Sequence, residues 1–300
     1  MKPAPFQYHR VERTEDALER LAELGDEAKV LAGGQSLVPM MNFRLVRPPA
    51  LVDISRIPDL RYVARDGARL RIGALTSHRT VEQLDDPAVI GGYELLPRAA
   101  RWVGHYPIRT RGTFGGSVAH ADPSAEWCVL AMLLDATVVV AGPHGEREIP
   151  AADFFLGFFT TAMEPGELLV ELRFPRPRPR AALQEFARRY GDFAIVAAAV
   201  AVELDGDRLT DARIVIGGVD EVPLRVTDAE GVLEGAEPGA NAFAEAGRAA
   251  GAAVDPSSDI HGSTAFRKEL TAVLVRRALA EAVGGDGSGR DGGAEDGRGG

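Results

Sequence analysis

The sequence predicts an α+β chain in three parts. Helix and strand signals alternate through residues 1–57 and again through 58–175, the pattern of α/β units. A proline–arginine run, Pro175-Arg176-Pro177-Arg178-Pro179-Arg180, then breaks helix and sheet alike. Beyond it, two strand-like runs precede helices in a region of 176–283. The tail, 284–300, is almost wholly Gly, Asp, Arg, Ser, Ala and Glu. It buries too little apolar surface to offset its ordering entropy and is expected to be disordered.

Each element has a local reason. Thr14 reads as the N-cap of a helix through Leu24, which Gly25 ends. Lys29–Ala32 reads as a strand running into Gly33-Gly34-Gln35-Ser36, and Ala50–Ile54 is a second strand after Pro48-Pro49. Alternation over Arg69–Leu75 predicts a strand, and helical patterns cover Thr80–Leu84 and Tyr93–Val103. The glycine-rich stretch Arg111–Ser117 reads as a loop. Asp122-Pro123, with Asp as N-cap and Pro at the first helical position, opens a helix to Leu134. Ala136–Ala141 and Glu167–Phe174 read as strands. The Pro–Arg run is a domain boundary or an exposed turn, its arginines read as solvated charges rather than as a contact with an acidic partner. Phe193–Glu203 and Asp211–Gly217 read as antiparallel strands joined through Leu204-Asp205-Gly206-Asp207. Helices are expected near Val226–Leu233, Ala240–Ala252 and Ser263–Val283, and there is no internal repeat.

Composition excludes several functions. Among 300 residues, 34 Lys+Arg against 44 Asp+Glu give a net charge of −10, which repels nucleic-acid phosphates. No apolar run approaches the roughly 20 residues of a membrane span. Met1-Lys2-Pro3-Ala4-Pro5-Phe6 lacks a signal-peptide core, so a cytoplasmic chain is expected. The single cysteine, Cys128, rules out an internal disulfide and a cysteine-ligated zinc or iron–sulfur site within the chain. It lies in the apolar run Trp127–Leu134, where a cysteine is an inert small hydrophobe.

Two glycine stretches carry the chemistry. In Val30-Leu31-Ala32-Gly33-Gly34-Gln35-Ser36-Leu37, paired glycines allow a turn that presents N–H groups to an anion, with Gln35 and Ser36 as further donors. Gly112-Thr113-Phe114-Gly115-Gly116-Ser117 has the same make-up. Together they are suited to grip a pyrophosphate from two sides without lysine or arginine. Neither is a Rossmann fingerprint or a P-loop, and a plain glycine turn is the competing reading of each. Glu126, on the first turn of the following helix, either accepts hydrogen bonds from ribityl or ribose hydroxyls or complements the helix dipole. His120 and Asp122 lack a third ligand at metal spacing, so no metal is expected.

Lys2-Pro3-Ala4-Pro5-Phe6, Leu31–Pro39, Arg44–Pro48, Val52-Asp53-Ile54, Ile72–Thr76, Ile108–Ser117, Ala119–Pro123 and Arg188–Ala194 together resemble the FAD-binding medium subunit of molybdenum hydroxylases. Carbon monoxide dehydrogenase and xanthine dehydrogenase are members of that family. The resemblance covers everything but the tail after Val283. It implies a vanillyl-alcohol-oxidase-type (PCMH-type) fold, two α/β subdomains at 1–57 and 58–175 that hold noncovalent FAD and a C-terminal α+β flavoprotein domain at 176–283. By position, Val30, Leu31, Ala32, Gly33, Gly34, Gln35, Ser36 and Leu37 hold the pyrophosphate together with Thr113, Phe114, Gly115, Gly116 and Ser117. Glu126 serves the ribityl chain and Val103 the adenine side. Leu169 and the loop bearing Tyr190, Asp192 and Phe193 approach the flavin ring. Tyr190 and Phe193 either shield the ring or pack ordinarily. Some relatives carry a lysine before the paired arginines, where this chain has Gln184-Glu185, and Tyr106-Pro107 and Thr110 also depart from the commoner residues.

The same resemblance implies an electron-transfer oxidoreductase subunit with no catalytic acid or base of its own. A large subunit with a molybdenum cofactor and a small subunit with iron–sulfur clusters are the implied partners, in a dimer of heterotrimers. Quinone, NAD or oxygen is the implied external acceptor. Two other readings compete: an autonomous flavin oxidase or reductase of the same fold, and a scaffold subunit whose flavin site has lapsed.

Overall fold

The computed structural model describes residues 2–284, and the expected disorder of the tail falls, from 285 on, outside them. In the first part, β1 (Gln7–Arg10), α1 (Thr14–Leu24), β2 (Ala28–Leu31), α2 (Leu37–Asn42) and β3 (Ala50–Asp53) follow one another. The three strands pair in parallel in the order β1-β3-β2. Central β3 is buried along its whole length, which is why its sequence is a continuous apolar run ended by Asp53. Thr14 is the first residue of α1 rather than its cap; Arg13 takes the cap position without a side-chain bond.

The second part holds β4 (Val63–Asp66), β5 (Arg69–Gly73), α3 (His78–Glu82), α4 (Pro87–Ile90), α5 (Leu95–Ala100) and α6 (Tyr106–Arg111). It continues through α7 (Phe114–His120), α8 (Glu126–Leu133), β6 (Thr137–Gly142), β7 (Gly145–Pro150), α9 (Ala151–Phe154), β8 (Phe155–Gly157), β9 (Thr160–Thr161) and β10 (Leu168–Phe174). Its main sheet is antiparallel, in the order β4-β5-β10-β6-β7. The expected helix start at Asp122 is corrected. Asp122 accepts from the Ser124 N–H (2.9 Å) in a turn, and α8 begins at Glu126. Trp127 through Ala131 are all buried, so α8 is apolar all round and runs through the core.

The third part comprises β11 (Ala181–Phe186), β12 (Val196–Asp205), β13 (Arg208–Gly217), β14 (Leu224–Arg225), α10 (Thr227–Leu233), α11 (Ala240–Ala253) and α12 (Thr264–Gly284). Its four strands form an antiparallel sheet in that order. Both faces of β12 are buried. Ala197, Ala199 and Ala201 join the core around α8, while Ala198, Val200 and Val202 join the core under α11 and α12. The alanines let α8 approach closely: a Cβ on Gly217, the strand partner of Ala197, would lie 2.6 Å from Val129 Cγ2. Thus the second and third parts share one core.

Within the Pro–Arg run, one arginine is not the solvated charge expected. Arg178 is only 2% exposed. Its Nη1 lies 3.0 Å from Asp211 Oδ2 and also donates to the Asp211 carbonyl at 3.3 Å. Arg176 bonds the same carboxylate, and the Arg178 N–H donates to Gly92 O at 2.7 Å. These charges bind the chain to itself. Replacing Arg178 with Met is expected to lower stability by about 1 kcal/mol, because half-buried Asp211 loses a charged donor but keeps Arg176; urea unfolding measures it.

Candidate functional site

Strand β2 ends at Leu31, and the next five residues turn across the end of the first sheet. Gly34 turns the chain in the left-handed region, at φ 70°, which glycine adopts without strain. Among the described residues, no protein acceptor takes the N–H of Gly33, Gly34, Gln35 or Ser36. The Gln35 amide instead folds back and donates to Gly33 O at 3.0 Å. This turn touches the second part of the chain backbone to backbone. A Cβ on Gly33 would overlap the Arg111 carbonyl oxygen and lie 2.8 Å from Gly112 Cα.

The second glycine stretch is a helix, not a loop. Thr113 caps α7, its Oγ1 accepting from the Gly116 N–H at 3.2 Å. Most of the other N–H groups are also committed: Gly112 donates to Ile108 O (2.7 Å), Phe114 to Thr76 O (2.8 Å), Gly115 to Ala74 O (2.9 Å) and Ser117 to Thr113 O (3.0 Å). The expectation that both stretches offer backbone donors is corrected in part: among the described residues the second stretch keeps only the Thr113 N–H without a protein acceptor. The first supplies N–H groups, and the second supplies the hydroxyls of Thr113 and Ser117.

Between them lies a cavity of about 870 Å³, within the range of cofactor sites. The first stretch lines it with Val30 and with Ala32 through Leu37. Thr113, Gly116 and Ser117 line it from α7, Val103 from the loop before α6, and Glu126 from the first turn of α8. Asp192 and Phe193 form another wall. Five of the expected residues stand elsewhere. Leu31 is behind the turn, and Phe114 and Gly115 are buried beneath α7, against Trp127 and Ala74. Leu169 is sealed in the core of β10. Tyr190 is 60% exposed outside the cavity, its hydroxyl donating to Arg101 O at 2.7 Å.

Sequence reasoning missed several walls. His78 is buried against Gly112, and its Nδ1 accepts from Trp127 Nε1 at 2.9 Å. Burial, with the charge of Arg109 adding, pushes its imidazole down to about 4, so the ring is neutral with its proton on Nε2. Arg109 is itself buried, paired with Glu82 (3.0 Å) and donating to Gly104 O (2.8 Å), and so it braces the wall at Val103–Gly104. His120 stacks with Phe159 at 4.9 Å on a further wall. The apolar spacing of Phe114 and Val118 was a readable helix signal; the Arg109–Glu82 pair had none.

Glu126 stands at the first residue of α8 and on the cavity wall. It keeps some surface toward the cavity yet is deeply enclosed by protein. That enclosure pushes its carboxyl up to about 7, and the charge of Asp122 adds to the effect. Among the described residues there is no cluster of three or more metal-ligating side chains. Nor is any helix long and apolar enough to cross a membrane. Burial pushes the Cys128 thiol well up, in keeping with an inert core residue.

Comparison with known proteins gives a consistent result. Residues 4–177 match the family described as "FAD binding domain in molybdopterin dehydrogenase". Residues 181–282 match the "CO dehydrogenase flavoprotein C-terminal domain". The chain is 41% identical to the 6-hydroxypseudooxynicotine dehydrogenase complex subunit alpha of Paenarthrobacter nicotinovorans, over 94% of this chain and 96% of that one. It is 34% identical to the carbon monoxide dehydrogenase medium chain of Hydrogenophaga pseudoflava, over 93% and 97%. The solved quinoline 2-oxidoreductase of Pseudomonas putida 86 has a chain that superposes with a TM-score of 0.90 at 36% identity, covering 95% of this chain and 99% of that one.

Two measurements test the site. Gly33→Ala forces the two segments apart, so the purified protein should lose its flavin absorbance and about 2 kcal/mol of stability, read by spectrum and thermal melt. His78 has a folded pKa below its unfolded value of about 6.5, so its contribution rises with pH between about 4 and 6.5 and is level above. Wild type should therefore lose about 3 kcal/mol more than His78→Gln on acidification through that range, as read by denaturant titrations at several pH values.

Proposed function

The chain belongs to the family of FAD-binding medium subunits of molybdenum-hydroxylase-type dehydrogenases, and from that premise we propose that it is the middle link of an electron path. Electrons enter from iron–sulfur clusters in a small partner subunit and leave to an external acceptor, a quinone, NAD or oxygen. The observation that carries this reading is the set of N–H groups at Gly33–Ser36, without protein acceptors among the described residues, on the wall of a cavity of dinucleotide size that Ser117 and Glu126 also line.

These residues fit FAD. Backbone donors at Gly33–Ser36 neutralise the diphosphate without a cation, in keeping with an acidic chain. Thr113 and Ser117 add hydroxyl donors, and Glu126 accepts from the sugar-chain hydroxyls. Val103 supports an apolar contact on the adenine side. Asp192 and Phe193 screen the ring end from water. Leu169, in the core of β10, and Tyr190, bonded to Arg101 O, stand off the cavity wall. FAD, when bound, accepts electrons singly or in pairs, and the protein's part is to hold and tune it.

The partners in this reading are a molybdenum-cofactor large subunit and an iron–sulfur small subunit, in a dimer of heterotrimers in the cytoplasm. Names of relatives such as "medium chain" and "complex subunit alpha" support a multisubunit setting. With one cysteine, this chain holds no cysteine-ligated cluster itself. In the same reading the chain divides at 57 and 175, and the substrate is chosen by the large subunit.

Anaerobic mixing tests the proposal. The FAD-loaded chain alone should keep its absorbance near roughly 450 nm in the presence of the complex's organic substrate, and bleach only when the reduced iron–sulfur partner is added. Bleaching by substrate alone would favour an autonomous flavoenzyme. A colourless protein that takes up no FAD would leave only a scaffold.

A further inference from the structure

A second carboxylate stands behind Glu126. On β11, Glu185 is the strand partner of Ala197, and antiparallel partners point to the same face. That face is the one toward α8, because Ala197 packs in one core with Trp127, Cys128 and Val129. Ala197 in turn pairs with Gly217, which abuts Val129 and the Pro123 carbonyl. Glu126 precedes Val129 by three residues and so shares its side of α8. Glu185 is not on the cavity wall, and its Oε1 is buried with no hydrogen-bond partner.

Two carboxyls enclosed in one space cannot both ionise freely. Burial pushes Glu185 well up from its ordinary range, and the charge of Glu126 adds to it. Asp122 precedes α8, Cys128 lies farther along it, and His120 and Asp192 stand on the cavity wall. The cation on α5, Arg98, is committed to Ala181 O (2.6 Å) and Glu281 (3.2 Å). On α12, buried Arg267 is committed to Ile195 O (2.7 Å), Gly218 O (3.0 Å) and Asp259 (2.8 Å), so both arginines have partners other than the two carboxyls.

We propose that Glu185 is a positioning residue behind the cavity wall: with Glu126 it holds one shared proton, so that Glu126 faces the bound dinucleotide as an acceptor while the pair carries a single negative charge. Binding of FAD is thereby linked to that proton. Once it is lost, two charges stand side by side beneath an anionic ligand, and binding weakens. The inference rests on the cavity being the FAD site.

The test is the affinity of the full chain, stripped of cofactor, for FAD between about pH 7 and pH 9, read by quenching of flavin fluorescence. Wild type should bind about tenfold more weakly at the alkaline end. Glu185→Gln, which keeps the shape but has no proton to lose, should match wild type near neutrality and show no alkaline weakening. Glu185→Leu carries the same expectation should the amide variant fail to melt cooperatively. A flat wild-type profile, or variants that keep the wild-type slope, overturns the proposal alone. Absence of FAD binding at every pH overturns the cofactor reading and this inference with it.

Discussion

Backbone touches backbone where Gly33 meets Arg111 and Gly112, and the cavity takes its shape from that contact. Any side chain at Gly33 would wedge the first sheet away from α6 and α7. With hydrogen alone in the gap, the turn after β2 lies across the start of α7, and Ala32 comes near Gly116. Among the described residues the turn's own N–H groups meet no protein acceptor, whereas the first N–H groups of the neighbouring helix are spent on Thr76, Ala74 and Thr113. One segment is therefore rigid and satisfied, and the other is held in place with donors to spare. Such a division is economical for an anion site in an acidic protein, since fixed dipoles need no counter-ion.

Helix α8 connects this site to the rest of the molecule. Its first residue is on the cavity, and its middle turns are sealed against β12 and β13. Buried His78, bonded to Trp127 of the same helix, fixes the other side of Gly112. Displacing α8 would disturb the cavity floor, the alanine face of β12 and the base of α7 together. Rigidity of this kind suits a protein whose task is to hold a redox cofactor at a fixed place.

Local features were the legible ones. The strand into Gly33-Gly34 reads directly, since an apolar run and paired glycines are both short-range signals. Long helices such as α11 and α12 read equally well. The short helices α4 and α6 are too brief for a period to show, while the helix read at Thr80–Leu84 lies two residues beyond the observed α3. α7 was hidden because paired glycines mimic a loop, although Thr113 and the Phe114–Val118 spacing marked it. β11 carries weak strand formers and owes its state to β12. Arg178 and Glu185 could be seen as charges, but not their fates. Asp211 lies 33 residues from Arg178, and the space around Glu185 is set by a helix from another part of the chain.

The alanine stripe of β12 has a bearing on how such chains diversify. Its residues and those of α8 fill one another's space, with Gly217 against Val129 as the tightest point. A bulkier side chain on either side must be answered by a smaller one across the seam. Chimeras that join the cofactor-holding half of one homologue to the carboxy-terminal half of another will inherit mismatched halves of a single interior. Exchange of function by recombination is thus steered away from this seam and toward whole-chain replacement.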